Sequence, residues 1–212
     1  MATVGTDPVA AGLVASLARP GGNVTGLTSL IPELGGKALE LLKEAFPKVR
    51  RVAVLWNPAS QSRLGLQAIE ATARSLPVEV QPLELQGPAE LENVFHTVIK
   101  GRFEGLVMTG IPFSEIHRAR IVGFALKHRL PTIFQNQEWV QEGGLMSYGS
   151  SELERYRRAV TYVDKVLKGT KPQDLPVEAP TKFALVINLK TAKQIGLTIP
   201  PNMIARADRV IK

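Results

Sequence analysis

Three corners of this sequence combine a small polar residue, a proline and a change of hydrophobic pattern. They are Thr6-Asp7-Pro8, Trp56-Asn57-Pro58-Ala59-Ser60 and Thr109-Gly110-Ile111-Pro112-Phe113-Ser114. A strand that turns into a helix through such a corner leaves backbone N–H groups unpaired at the positive end of the helix dipole. That arrangement suits a carboxylate or another acceptor group, and a proline keeps the corner stiff, so little entropy is lost when a ligand arrives. Asn or Ser beside proline is also ordinary helix capping. The chemistry therefore depends on several corners sharing one rim of a sheet. Glu138 adds a different group. It follows the apolar run 131–134 inside I-F-Q-N-Q-E-W-V, where a carboxylate can receive an ammonium group. With Tyr148 at the end of the next apolar run, the candidate ligand contacts are Asp7, Asn57, Ser60, Pro112, Phe113, Glu138 and Tyr148.

Catalytic patterns are missing from the sequence. It holds no G-x-x-x-x-G-K-S/T phosphate loop, no G-x-G-x-x-G after a strand and no G-x-S-x-G elbow. The histidines His96, His117 and His128 fall on helical segments away from the strand ends, which reads as structural. Glu152 and Glu154 point to different sides of a helix and make no acid–base pair. With no cysteine in the chain, disulfides, thiolate nucleophiles and cysteine metal sites are excluded together. The reading is of a non-enzyme, with no cofactor and no metal.

Composition agrees with a globular protein. The 212 residues are 44% hydrophobic and 21% charged, enough for one large domain or two small ones, and the 6% aromatic content leaves the core to Leu, Val, Ile and Ala. The net charge of +7 raises nucleic acid as a partner, but the basic residues are scattered. Even the densest group, Arg155, Arg157 and Arg158, is interrupted by Glu152, Glu154 and Asp164, which reads as a solvated helix face and not a nucleic-acid surface. No apolar run approaches the ~20 residues of a spanning helix. The opening residues have neither the basic nor the apolar region of a secretion signal.

The elements that must position these corners alternate from Val52 onward. Short β-branched runs are predicted as strands at 52–56, 78–85, 105–109 and 131–134. Between them, three-to-four spacing predicts amphipathic helices at 63–76, 90–100 and 114–129, with an earlier one at 34–46 stopped by Pro47. This is the pattern of β-α-β units on a parallel sheet, an α/β fold with a Rossmann-like lobe. Upstream, 8–18 reads as a helix with proline at its first position, and 23–28 as a strand. Downstream, 143–148 reads as a strand, 151–167 as a helix, 171–180 as a proline-rich connector, 183–187 as a strand and 189–195 as a short helix broken by Pro200-Pro201.

Specific strings accumulate along this pattern. They are D-P-V-A-A-G-L-V-A-S-L-A-R-P-G-G-N-V-T-G from Asp7, R-V-A-V-L-W-N-P from Arg51, G-G-L-M-S-Y-G from Gly143, V-T-Y-V-D-K-V-L-K-G from Val160 and N-L-K-T-A-K-Q-I-G-L-T-I-P-P from Asn188. On these strings the chain closely resembles the bacterial ABC-transporter substrate-binding proteins of the type I periplasmic-binding fold. The resemblance implies a solute-binding component of an importer, holding an amino-acid-like or aromatic-acid ligand between two lobes and delivering it to a permease. It implies a periplasmic location, whereas Met1 as the natural start implies the cytoplasm. It also implies that residues 1–29 and 148–174 are a remnant of the first lobe, and that 30–147 and 175–212 form a complete second lobe. Family members carry further units of the first lobe before Asp7-Pro8. A chain lacking them is expected to leave Leu13, Leu17, Tyr156, Val160 and Val163 without packing partners, to lose first-lobe ligand contacts, and either to form a homo-oligomer through the incomplete lobe or to pack that remnant onto its own second lobe. The alternative is a self-associating structural module with no ligand.

Overall fold

The computed structural model describes residues 2–3, 8–9, 11–28, 33–58 and 62–212, with backbone alone at Ala2, Thr3, Glu33, Pro112 and Glu152. In chain order the elements are β1 (Ala2–Thr3), β2 (Thr25–Gly26), α1 (Glu33–Ala45), β3 (Arg51–Trp56), α2 (Ser62–Ala73) and β4 (Glu79–Glu84). They continue with α3 (Leu91–Lys100), β5 (Gly105–Met108), α4 (Arg118–Lys127), β6 (Thr132–Phe134), α5 (Glu138–Gln141) and β7 (Met146–Gly149). The last are α6 (Glu152–Leu167), β8 (Ala184–Asn188), α7 (Leu189–Gln194), α8 (Pro201–Arg206) and β9 (Arg209–Ile211). Two compact units result, Met1–Ile31 with Ser150–Phe183 and Pro32–Gly149 with Ala184–Lys212.

The larger unit is built on a seven-stranded sheet in the order β4-β3-β5-β6-β7-β8-β9. Every neighbouring pair is parallel except β7 and β8, which run antiparallel with Met146 opposite Ile187 and Gly149 opposite Ala184. The sheet is thus mixed and mostly parallel. Its strands show why an almost continuous apolar run such as Val52–Trp56 is needed. Successive side chains point to opposite faces, and both faces are covered. Val52, Val54 and Trp56 join one core with Leu39, Leu42, Leu66, Ile69, Val107, Ile133, Ile187 and Met203. Ala53 and Leu55 join the other with Leu91, Phe95, Leu106, Ile121, Phe124, Phe134 and Trp139.

Helices α1 and α2 approach closely at two glycines of α1. A Cβ at Gly35 would stand 2.4 Å from the Gly65 carbonyl oxygen, and one at Gly36 the same distance from Thr72 Oγ1. Lys43 closes the end of α1 by donating from Nζ to the carbonyls of Pro47 and Val49 at 2.7 Å each. Burial, with a smaller contribution from Arg50, depresses its pKa from the ordinary lysine value.

The smaller unit is organised differently. β1 and β2 form a two-stranded parallel pair, and Leu27 bridges to Glu178. Behind them Ala159, Tyr162 and Val166 of α6 pack on Leu27 and Leu175. Polar contacts carry much of the fastening. Thr25 Oγ1 donates to the Leu175 carbonyl at 2.6 Å, Tyr162 Oη donates to the Pro176 carbonyl at 2.8 Å, and Arg158 grips both Glu178 oxygens at 2.8 and 2.7 Å. The Val177 N–H donates to the Leu17 carbonyl, so the 175–178 segment belongs to this unit.

Several expectations are corrected. Residues 8–18 form no helix among the described positions: Gly12 is left-handed at φ 67°, and the Pro8 carbonyl accepts from both Leu13 and Val14 in a turn. The 114–129 helix is interrupted. A 3-10 turn over Pro112–Glu115 precedes α4, which begins at Arg118. The 143–148 strand starts only at Met146, because Gly143 at φ 107° makes the turn before it. The Pro200-Pro201 break does end the segment after α7, but a further helix follows it. Pro201 opens α8, a position where its missing N–H costs nothing.

Candidate functional site

The rim where β3, β5, β6 and β7 end is set by their register. Leu55 lies beside Met108, Val107 beside Ile133, and Phe134 beside Ser147, so residues 57, 109–112, 135–137 and 148–149 all emerge on one side of the sheet. The Asn57 and Pro112 corners therefore share a rim, as the corner chemistry requires. The chain leaves this unit after Gly149 and re-enters at Ala184 on the same rim, since β8 runs against β7.

Asn57 is a rigid corner residue. It is 5% exposed, its Nδ2 donates to the carbonyls of Leu85 at 3.0 Å and Gln86 at 3.3 Å, and its backbone N–H donates to Ser62 Oγ at 2.8 Å. The Ser62 hydroxyl donates back to the Asn57 carbonyl at 2.8 Å, closing a ring of bonds at the start of α2. Thr109 does similar work one strand over, its Oγ1 donating to the Leu55 carbonyl at 2.9 Å. Gly149 allows β7 to pass close to the exit of β6: a Cβ there would lie 1.7 Å from the Gln135 carbonyl oxygen. Phe113 is half-buried on the second core, edge-on to the His117 ring at 6.4 Å. Tyr148 is half-buried on the first core. Asp7 and Ser60 lie outside the described residues, and of Pro112 only the backbone is described, at the start of its 3-10 turn.

Glu138 opens α5 four residues past Phe134, in a loop held by charge. Glu115 Oε1 accepts from Asn136 Nδ2 at 3.2 Å and from Trp139 Nε1 at 3.1 Å, tying the exit of β5 to that of β6. Trp139 stacks on Phe134 with centroids 4.5 Å apart. Arg118 pairs with Glu115 and Glu142 at 2.6 Å each and sits over the Trp139 ring. Burial works against the Arg118 charge, but the hydrogen bond to Glu115 and the fields of Glu115, Glu142 and Glu138 raise its pKa above the ordinary arginine value. Both ion pairs of Arg118 go to other carboxylates, while the buried Oε2 of Glu138 has no hydrogen-bond partner among the described residues. Arg118 thus pairs with two carboxylates while Glu138 acts on it only through its field, and both Arg118 Nε and Glu138 Oε2 are buried without a hydrogen-bond partner among the described residues. Two sheet residues near this rim also keep buried polar atoms without hydrogen-bond partners among the described residues, Trp56 Nε1 and Ser147 Oγ.

No cluster of His, Cys, Asp or Glu suited to a metal occurs among the described residues. His117 and His128 cap the two ends of α4 and His96 lies in α3. No described helix is long and apolar enough to cross a membrane.

A family profile described as ABC transporter substrate binding protein matches residues 1–211. The chain belongs to this family. Its curated relative, a tyrosine-binding protein of Clostridioides difficile (strain R20291), is 26% identical over 196 residues, which are 92% of this chain and 56% of the relative. The chain therefore spans little more than half of that substrate-binding protein. A crystal structure of an ABC domain in complex with L-Trp, from Streptococcus pneumonia, superposes with a TM-score of 0.86 at 27% identity, over 97% of this chain and 71% of that one. A conserved domain protein from Vibrio cholerae gives the same TM-score of 0.86 and 27% identity, over 97% of this chain and 69% of its own. The architecture is the type I periplasmic-binding fold that the family strings implied.

Glu115, Arg118, Gln135 and Ser147 escaped sequence reasoning. The P-F-S-E run did place an acid beside a predicted corner, which was the available signal for Glu115. Its partners lie 21 and 24 residues away, a distance only the folded chain closes.

Proposed function

We propose that this chain is the solute-binding component, or part of one, of an ABC importer, and that it holds an amino-acid-like molecule at the carboxyl rim of its larger unit. The observation that carries the reading is the buried Glu138 Oε2, which has no hydrogen-bond partner among the described residues and lies in a loop whose arginine, Arg118, is already paired with Glu115 and Glu142. Such a site favours a cation with N–H donors, which an α-ammonium group is. Relatives point the same way, one named for binding tyrosine and another solved with L-Trp. Asn57, Phe113 and Tyr148 supply stiff walls, and Asp7, Ser60 and Pro112 are proposed to complete the contacts. An ABC permease is the proposed macromolecular partner and the periplasm or cell exterior the proposed location. No catalytic step is assigned.

Calorimetric titration with tyrosine, tryptophan and their N-acetyl forms tests this. The account expects the free amino acids to bind, the N-acetyl forms to bind at least ~10-fold more weakly, and Glu138→Gln to lose a comparable factor without a change in melting temperature. Equal affinity for free and N-acetylated ligand would remove Glu138 from the site.

A further inference from the structure

We propose that the end of the larger unit opposite the rim is a docking surface for an anionic lipid bilayer, held by charge and independent of the ligand reading. Strands β3, β5 and β6 are neighbours in the sheet, and their registers bring the segments that enter them, 47–50, 100–104 and 127–131, out at one end. Those segments carry Lys48, Arg50, Lys100, Arg102, Lys127 and Arg129. All six residues are exposed, and none forms an ion pair among the described residues. One carboxylate lies among them, Glu104, and its Oε2 is taken by the backbone N–H groups of Arg50 at 2.5 Å and Arg51 at 3.3 Å.

Backbone strain marks the same place. Arg102 at φ 52° and Arg129 at φ 54° are the two non-glycine residues with positive φ among those described. Each stands two residues past the end of its helix, α3 or α4, and the N–H that follows, of Phe103 or Leu130, returns to the carbonyl of Val98 or Ala125. Glycine ordinarily takes such a left-handed stop, because a Cβ is strained there. In α3 a glycine is adjacent, yet Gly101 keeps φ −75° and the arginine takes the strained place. Lys100 and Lys127 already complement the negative ends of their helices. Two arginines held where glycine fits without strain exceed that need, so the positions retain charge at a conformational cost.

The same charges decide what can cover this end. Further chain folded over it would have to bury the cations or bring a carboxylate to each, whereas a bilayer surface meets them while they stay in water. The two rings in these segments are already packed, Phe103 at 6% exposure under Arg51 and His128 against Phe124 at 4.8 Å. With no ring free to stack on bases, a plane of lipid phosphates fits better than a nucleic acid. Six cations lie within the roughly four to eight that attract anionic headgroups.

Cosedimentation with vesicles tests the proposal, comparing pure phosphatidylcholine with a mixture holding about 40% phosphatidylglycerol. The chain is expected to bind the mixed vesicles and not the neutral ones, and to lose at least ~10-fold in affinity between about 0.03 and 0.3 M salt. Arg102→Gly with Arg129→Gly should weaken binding by about 25-fold, or ~5-fold per charge, without lowering the melting temperature. Arg102→Lys with Arg129→Lys, which keeps the charge, should stay within about 2-fold of the parent. Lys171→Ala with Lys182→Ala removes two exposed cations of the smaller unit and should change binding by less than about 3-fold. Equal losses from that pair and the glycine pair would reduce the effect to net charge and overturn the assignment, as would equal binding to neutral vesicles. Failure to bind the mixed vesicles would overturn it too, and duplex DNA bound in their place would mark a nucleic-acid surface instead.

Discussion

The larger unit clothes its central strands on both faces with helices, whereas the smaller sets one long helix against two strands of two residues each and leaves more of that helix's apolar side chains in solvent than it packs. The first closes its core from its own sequence, and its rim inherits that stiffness. The second is fastened largely by polar anchors, with Arg158 on Glu178, Tyr162 on Pro176 and Thr25 on Leu175. Stability and ligand geometry should therefore respond more to substitutions in the larger unit than to those on the exposed face of the smaller.

The contrast can be broken most forcefully in the core. Leu39→Ala removes a fully buried side chain from the first core and should cost about 4 kcal/mol in a denaturant titration. Gly149→Ala comes next. Its Cβ would collide with the Gln135 carbonyl, so about 3 kcal/mol of destabilisation is expected, together with displacement of the loop that carries Glu138. A loss as large from Leu167→Ser on α6 would erase the distinction between the units. That side chain is 81% exposed, and the expected change is within about 0.5 kcal/mol.

The anchors of the smaller unit sharpen the comparison through pH. Hydrogen bonds from Arg158 hold the Glu178 carboxyl below its ordinary value, against the opposing effect of burial. A depressed folded pKa means that the contribution is fully present above the unfolded carboxylate range and is lost as pH falls through the folded value. Melting curves of the parent and Glu178→Gln should differ by a few degrees at neutral pH and converge in acid. Convergence at high pH instead would reverse the sign of the linkage. The effect is small because the pair is partly exposed.

How much of this was legible beforehand follows the same division. The crossover helices between Val52 and Phe134 announced themselves because each buries a periodic face, and the central strands because apolar side chains are buried on both of theirs. The register-dependent rim followed from their parallel order. The antiparallel turn of β8 was not legible, since F-A-L-V-I reads alike in either direction. Residues 8–18 misled for a physical reason: Val9, Leu13 and Leu17 have helical spacing, but each is at least 36% exposed, and a short helix with no face to bury is not stable. At the site, Asn57 and Phe113 were visible as corners. The charge network around Glu138 was not, because it joins residues from the exits of two strands.

The central claim is that the carboxyl rim of the larger unit binds the solute. Backbone amide shifts recorded while a free amino acid is titrated into the isotopically labelled chain test it most directly. Saturable shifts gathered at Asn57, Gly110, Gln135, Glu138 and Tyr148, and lost in Glu138→Gln, are the predicted result. Shifts gathered at the opposite ends of the strands, near Arg51, Gly105 and Thr132, or no saturable shift at all, would contradict it.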